Sequence, residues 1–257
     1  QITAGIIPRY RKLAESGRVE LTTTPYGHPI VPLLLDLQSA HEAMPGAPLP
    51  TSAAQYPGGI DRARWHFERG LQVFERCFGF RPEGCWPSEG SISEATLKLL
   101  PEFGFRWTAS GGNVLHHSVL NAGLRSAPAN APVQFGDNPL ACVFRDDELS
   151  DAVGFQYQTW HADDAVTHLL QRLESRAWQT PGGLLLIYLD GENAWEFYPH
   201  NAYWLLSTLY ARIAAHPQLR LSTMSEALAG QARLSHLPRL TAGSWVYGTF
   251  STWIGSA

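Results

Sequence analysis

The chain has 257 residues, which is enough for one large domain or two modest ones. Hydrophobic residues make up 44% and charged residues 16%, and this balance excludes an intrinsically disordered chain. The formal net charge is −4 and the Lys and Arg residues are dispersed, so neither a nucleic-acid partner nor an anionic membrane surface is indicated.

The three cysteines, Cys77, Cys85 and Cys142, fit neither a disulfide framework nor a Cys-x-x-Cys metal site. We expect Cys85 to pack as a small hydrophobic residue. Sparse, odd-numbered cysteines favour a reducing compartment. No apolar run is long enough for a membrane span and no signal pattern is present at the N-terminus, so a soluble, cytoplasmic protein is expected.

The first third of the chain predicts two helices separated by a strand and a long loop. A helix over residues 7–16 is terminated by Gly17, where a left-handed cap is favourable. A β-branched strand follows at 18–24, and the Pro- and Gly-rich stretch 38–59 predicts a loop. An amphipathic helix is predicted over 61–78.

In the middle of the chain, "GCWPSEG" reads as the end of a strand followed by a turn. Ser91 and Glu94 have the spacing of a capping box and predict a helix through Leu100, ended by Gly104. "FRWTAS" (105–110) predicts another strand, whereas 113–144 has only weak periodicity.

The last third predicts a helix over 163–178, a strand at 184–189 that is apolar on both faces, a helix at 201–214, a short strand at 219–223 and a helix at 224–230. Alternating strands and helices with a doubly buried strand indicate an α/β fold with a parallel sheet. A barrel is favoured, with the whole chain as one catalytic domain. An open doubly wound sheet is the alternative, but no Gly-rich phosphate loop follows a strand.

Two carboxylates follow predicted strands, Asp190 after 184–189 and Glu89 in "CWPSEG". The simpler interpretation is structural, because Asp190 or Asn193 could cap the next helix. If both strands belong to one parallel barrel, the two acids meet over the same opening. Cleavage of a glycosidic bond needs such a pair, one to attack or to activate water and one to protonate the leaving oxygen.

His28 lies on a loop stiffened by Pro25 and Pro29, and Glu20 lies inside the predicted strand before it. Glu20 could position a substrate hydroxyl or a neighbouring side chain. A metal site would need His28 to meet further ligands such as His41, and no His-x-x-x-His pair supports one. Gly-x-Ser-x-Gly is absent as well, so no serine nucleophile is predicted.

Aromatic residues gather near these acids, and sugar rings pack their C–H faces on such side chains. Either a buried core or a sugar platform would account for them. The candidate substrate-binding residues outside the His28 loop are Trp86, Asp151, Glu192, Trp195, Trp245 and Trp253.

Four stretches together resemble glycoside hydrolase family 57, nearest its α-amylase- and amylopullulanase-like branch. They appear in order along nearly the whole chain: "GRVELTTTPYGHPIVPLL" (17–34), "GCWPSEGSIS" (84–93), "YLDGENAWEFY" (188–198) and "GSWVYGTFSTWIG" (243–255). The resemblance implies an incomplete (β/α)₇ barrel that acts on α-glucans with retention of configuration and without a metal or other cofactor. Glu89 matches the nucleophile and Asp190 the general acid/base, while Glu20, His28 and Trp245 match substrate-side positions.

The family's first region, a histidine-bearing N-terminal strand, has no counterpart here, and neither does the helical segment after the barrel. We therefore expect an internal fragment, truncated at both ends and missing the first strand, with an exposed sheet edge. Three rival functions are a glucanotransferase or branching enzyme on the same residues, a non-catalytic carbohydrate-binding remnant, and a metal-dependent carbohydrate deacetylase or mannosidase.

Overall fold

The computed structural model describes residues 3–50, 55–126, 130–191, 194–230 and 234–255. The α-helices in these ranges are α1 (Ile6–Glu15), α2 (Val31–Leu35), α3 (Ala40–Ala43), α4 (Gly59–Phe78), α5 (Glu94–Leu99), α6 (Gly112–Asn121), α7 (Asp147–Asp151), α8 (Ala162–Gln179), α9 (Tyr203–Ala214), α10 (Met224–Gly230) and α11 (Ser251–Ile254). The strands are β1 (Gly84–Cys85), β2 (Trp107–Ser110), β3 (Val133–Phe135), β4 (Ala141–Phe144) and β5 (Ser235–Leu237). No helix in the described ranges combines the length and the apolar character needed to cross a membrane.

The five strands form one sheet in the order β1-β2-β4-β3-β5. β1, β2 and β4 are parallel neighbours, and β3 runs antiparallel to β4 but parallel to β5. Thr23 extends the parallel set through a single bridge to Cys85. The α/β class predicted from the sequence is confirmed, and closure of the sheet into a barrel stays a prediction.

The register of the three parallel strands buries two thiols. Thr108 on β2 is paired with Cys85 on one side and with Cys142 on the other. Both cysteines are fully buried, and this burial raises the pKa of each thiol well above its usual range. Cys85 thus packs as a small hydrophobic residue, as predicted.

Helix α4 begins and ends close to the predicted boundaries. Left-handed Gly58 and Gly79 flank it, with φ of 66° and 83°. Its buried face includes Phe67, Leu71 and Phe74, which lie three or four residues apart as one stripe of an amphipathic helix requires. Gly70 lies on the same face, where a Cβ would come within 2.9 Å of the Thr24 carbonyl oxygen. The helix therefore packs closely against the segment that leads to His28.

The chain divides into two compact units. Unit 1 contains Gln1–Pro128, Pro132–Phe144 and Thr223–Ala257, and unit 2 contains Ala129–Ala131 and Arg145–Ser222. The sheet and α4 belong to unit 1. Unit 2 is built around α8, whose buried residues Val166, Leu169 and Leu173 contact a core that also includes α9. The prediction of a single domain stays a prediction.

The predicted strand at 184–189 is not a strand in the structure, and of its six residues only Leu186 is fully buried. The backbone bonds described for this stretch join Leu184 N to Asn130 O and Asp146 N to Leu186 O, while Tyr188 N donates to the Ser150 hydroxyl. These contacts do not form a ladder. Apolar side chains of this stretch do pack against the core of unit 2. A β-strand, however, also needs a neighbouring strand in register.

Three further local predictions were wrong. Helix α5 is capped by Ser93, whose hydroxyl accepts from Thr96 N at 3.2 Å, and not by Ser91. The stretch 219–223 is not a strand, and 18–24 pairs only at Thr23. The cap is two residues further along the chain than predicted, and the two strands lack a backbone partner over most of their length. Local propensity predicts neither the position of a cap nor the presence of a partner strand.

Candidate active site

Glu89 lies on the turn that follows β1, at the carboxyl end of the parallel strands. Its backbone is left-handed, with φ 57° and ψ 27°, and Gly90 continues with φ 58°. A non-glycine residue in this region costs roughly 1–2 kcal/mol. Such strain is typical of functional sites. The side chain is about a third exposed, at 30%.

Both carboxylate oxygens of Glu89 have a ring nitrogen as partner. His28 Nε2 lies 3.1 Å from Oε1, and Trp245 Nε1 donates to Oε2 at 2.9 Å. The backbone N–H of Trp245 also donates to the Glu89 carbonyl oxygen at 3.1 Å. This arrangement can orient the carboxylate of a nucleophile through both oxygens, with His28 as a donor in its Nε2–H tautomer.

His28 reaches Glu89 from a tight loop. His28 N donates to Pro25 O at 3.1 Å, and the backbone of His28 is also left-handed, with φ 56°. The loop is held against α4 by Tyr26, whose N donates to His66 O and whose carbonyl oxygen contacts His66 Nδ1. The imidazole of His28 is 51% exposed, so it can meet a ligand as well as Glu89.

Two indoles lie beside the carboxylate. Trp86 and Trp245 meet edge to face, with ring centroids 5.1 Å apart. Small residues make this close packing feasible. A Cβ on Gly90 would lie 3.1 Å from the Trp86 ring and 3.2 Å from Trp245 Cβ, and a Cβ on Gly111 would lie 2.6 Å from Trp245 Cα. Glu89, His28, Trp86 and Trp245, all predicted site residues, are therefore brought together in unit 1.

Sequence reasoning missed Gly111, a member of this cluster, and Tyr247, an exposed ring close to Trp245 in sequence. The backbone of Gly111 packs directly against Trp245. The sequence feature that could have indicated this contact is the pair of glycines directly after β2. Tyr247 is 77% exposed with φ 56°, two residues beyond Trp245. An aromatic side chain next to a glycine in "WVYG" was its signal. Exposed aromatic rings are suited to stacking on sugar faces.

Glu20 is placed elsewhere. Its carboxylate accepts from Trp107 Nε1 at 3.0 Å and from both N and Oγ of Ser225 at 2.7 Å. Trp107 opens β2 opposite Gly84, so this cluster lies at the amino ends of the strands, whereas Glu89 follows their carboxyl ends. Of the two roles open to Glu20, positioning of neighbouring side chains is the one its contacts show.

Trp253 is not brought to Glu89 by any described contact. It lies on α11 and packs, partly buried, against a small apolar cluster with Ala40, Ala242 and Phe250. This position corresponds to the core interpretation of that tryptophan.

In unit 2, Asp190 is exposed and follows the extended stretch 184–189. Trp195 packs into the core of unit 2, with its ring centroid 5.7 Å from that of Tyr198. Asp151 is paired with Arg145, which also contacts Asp147 at 2.9 Å. Glu192 lies outside the described residues. The pairing of Asp190 with Glu89 in space stays a prediction.

Metal-ligand chemistry was examined among the same residues. Within the described ranges, no three His, Cys, Asp or Glu side chains form a group with the geometry to hold a metal ion. His41, which a metal site at His28 would have needed as a further ligand, contacts Gln38 Oε1 at 3.0 Å and the Ala47 carbonyl oxygen at 3.1 Å.

Comparison with known proteins places this geometry in context. The model of the family described as "Glycosyl hydrolase family 57" matches residues 1–239. The structure is similar to a GH57-type branching enzyme from the hyperthermophilic archaeon Pyrococcus horikoshii, with a TM-score of 0.69 and 21% identity over 99% of this chain and 53% of that one.

Two further solved structures are similar. The α-amylase AmyC of Thermotoga maritima has a TM-score of 0.70 and 13% identity, covering 93% of this chain and 54% of that one. The 4-α-glucanotransferase of Thermococcus litoralis has a TM-score of 0.64 and 18% identity, covering 93% and 32%. The chain thus spans about half or less of the length of these relatives, and at these identities the likeness concerns the fold.

Proposed function

We propose that this chain, which belongs to glycosyl hydrolase family 57, carries the two-carboxylate machinery of a retaining glycoside hydrolase for α-linked glucan. The observation that supports this most directly is that both carboxylate oxygens of Glu89 are contacted by ring nitrogens. An imidazole and an indole N–H hold its two oxygens at the carboxyl end of β1. A nucleophile positioned in this way is fixed in direction before the sugar arrives.

In the proposed reaction, a Glu89 oxygen attacks the anomeric carbon while Asp190 gives a proton to the departing glycosidic oxygen. The C–O bond to the leaving sugar breaks and a glycosyl–enzyme ester forms. Asp190, now ionised, takes a proton from water, which attacks the same carbon and releases Glu89. Two inversions give net retention, and this mechanism requires a carboxyl separation of about 5 Å.

His28 and Trp245 have defined roles in this scheme. As the ester forms, Glu89 loses its negative charge. The hydrogen bonds from His28 and Trp245 must therefore orient the carboxylate without stabilising its charge so strongly that attack is slowed. In this proposal, the exposed imidazole of His28 and the ring of Trp86, which packs against Trp245, contact the sugar that binds beside Glu89.

Chemical rescue tests the two roles separately. In Glu89→Ala, azide should enter the vacated space and yield a glycosyl azide of inverted configuration from an activated maltosyl substrate. In Asp190→Ala, the ester still forms from an activated leaving group, so azide should yield the retained product. Glu89→Gln should abolish turnover. Retained turnover in Glu89→Gln, or the same azide anomer from both alanine variants, would refute the assignment.

A transglycosylase is the second candidate, favoured by the similarity to a branching enzyme and to a 4-α-glucanotransferase. It would use the same residues and differ only in the acceptor, a sugar hydroxyl in place of water. Incubation with maltoheptaose followed by NMR distinguishes them. New reducing ends indicate hydrolysis, longer chains with constant reducing ends indicate 4-α-transfer, and new α-1,6 signals indicate branching.

The same samples test the remaining rivals. A non-catalytic binding remnant would bind maltoheptaose but show no activity above that of Glu89→Gln. A metal-dependent enzyme would lose activity with a chelator and regain it with zinc, and this result would contradict the two-carboxylate scheme.

A further inference from the structure

Unit 2 contains a cavity of about 380 Å³ beside the start of α8 and the start of α9. Four of its lining side chains are aromatic: Tyr157, Trp160, Tyr198 and Trp204. We refer to it as the aromatic pocket. None of the contacts described for Glu89 involves it.

The base of the aromatic pocket is rigid. Tyr157 is fully buried, and its hydroxyl lies 2.8 Å from His168 Nδ1. The Trp160 ring lies 5.2 Å from both the Tyr157 and the His168 ring centroids. The Tyr198 hydroxyl donates to the Val153 carbonyl oxygen. Rings fixed in this way lose little conformational entropy when a ligand stacks on them.

The opening of the aromatic pocket combines flat apolar faces with polar groups. The indoles of Trp160 and Trp204 are 44% and 57% exposed. Around them lie the imidazole of His161, the carboxylate of Asp163 and the hydroxyl of Thr208. An apolar ligand would leave these groups without partners on the ligand, whereas a sugar offers C–H faces to the rings and hydroxyls to the carboxylate and imidazole.

The backbone at the edge of the aromatic pocket is strained. His200, Asn201 and Ala202 are consecutive left-handed residues, with φ of 53°, 53° and 60°, and Ala202 lines the pocket. Each costs roughly 1–2 kcal/mol relative to the right-handed form. Strain of this kind concentrates at ligand clamps and active sites. It is what brings α9, and with it Trp204, to the pocket.

We propose that the aromatic pocket binds a glucosyl unit of an α-glucan, stacked on Trp160 and Trp204 with its hydroxyls toward Asp163 and Thr208. The choice of sugar rests on the proposed function, while the pocket itself is independent of Glu89. It would hold a chain of the polysaccharide on unit 2 and so raise the local concentration of substrate.

Indole N–H resonances test the proposal without relying on activity. Glu89→Gln, labelled with ¹⁵N at the tryptophan indoles, is titrated with maltotriose, and Trp160→Phe and Trp204→Phe assign two of the nine signals. Trp178 is the matched control, because it lies on α8, is 75% exposed and does not line the pocket. We expect the Trp160 and Trp204 signals to shift with one common Kd while the Trp178 signal stays in place.

Substitution then quantifies the site. Trp204→Ala should weaken that Kd about three- to tenfold, and Trp178→Ala should leave it unchanged. The proposal is overturned if the Trp160 and Trp204 signals do not move, if the Trp178 signal moves equally, or if only the apolar probe cyclohexanol shifts them. Failure of the proposed function is a separate result. It would appear as retained turnover in Glu89→Gln and would leave these signal shifts unchanged.

Discussion

Trp245 donates to Glu89 twice, from its backbone N–H to the carbonyl oxygen at 3.1 Å and from its indole N–H to Oε2 at 2.9 Å. One residue therefore fixes both the turn and the side chain of the proposed nucleophile. The two residues are 156 positions apart in sequence, and the glycines at 90 and 111 provide the space for this contact.

Trp245→Phe keeps the ring and the backbone bond but removes the indole N–H. Hydrogen bonds to charged groups contribute about 1.5–3 kcal/mol, so we expect kcat/KM on maltoheptaose to fall roughly 10- to 100-fold. The melting temperature should change little. Trp178→Phe, an exposed indole on α8, is the control. A Trp245→Phe enzyme with full activity would show that the indole N–H has no part in catalysis.

His28→Gly separates backbone strain from side-chain function. Glycine relieves a left-handed strain of about 1 kcal/mol, but it makes the unfolded chain more flexible by a similar amount. We therefore expect unchanged stability together with at least a tenfold loss of kcat/KM, since the imidazole no longer contacts Glu89. His28→Asn tolerates the same backbone without reaching the carboxylate and should behave likewise. Activity close to that of the wild type in both variants would contradict the role of His28.

Glu20→Ala should destabilise the fold without changing the chemistry. It leaves the indole N–H of Trp107 and the backbone N–H of Ser225 without their acceptor, whereas the Ser225 hydroxyl keeps Glu83 at 2.9 Å. We expect this to cost about 2–4 kcal/mol of unfolding free energy. Because this cluster lies at the amino ends of the strands, kcat/KM of the folded protein should be unchanged. Glu68→Ala, an exposed carboxylate on α4, should stay within about 0.5 kcal/mol. A selective loss of kcat/KM in Glu20→Ala would instead support a substrate contact.

Tyr198 predicts how stability depends on alkaline pH. Burial raises its pKa from 10 to about 12, so between these values the folded state holds a proton that the unfolded state has released. Unfolding free energy should therefore fall as pH rises through this window. Tyr198→Phe should be less stable at pH 7, because the bond to the Val153 carbonyl is lost, but should show a shallower decline. Urea denaturation at several pH values measures both, and parallel slopes would refute the assignment.

Sequence periodicity predicted α4 and α8 well, because each buries a complete stripe at helical spacing. It failed at 184–189, where six consecutive apolar residues predict a strand that the structure does not contain. Hydrophobicity shows that a segment is buried, but ladder formation depends on a distant partner in register. The close contacts of Gly84 with Trp107 and of Gly111 with Trp245 also join residues far apart in sequence, so local patterns do not predict them.

The sequence predicted which residues belong to the candidate site, but it did not predict the hydrogen bonds between them. Glu89 was recognised by its place after a strand, and His28 by the flanking prolines. Their hydrogen bond depends on two left-handed backbones, which non-glycine residues seldom adopt and which the sequence does not signal. Glu20 shows the converse, because it precedes the same motif in sequence and yet its carboxylate lies at the other end of the sheet.

The clamp on Glu20 has a consequence for how the chain folds during synthesis. Its partner Ser225 lies 205 residues further on. At a translation rate of about 5–20 residues per second, the carboxylate waits roughly 10–40 s on the ribosome before the serine emerges. The N-terminal segment is therefore held first by its contacts with α4 and β1, and it is locked in place only when α10 docks, as a late step in folding.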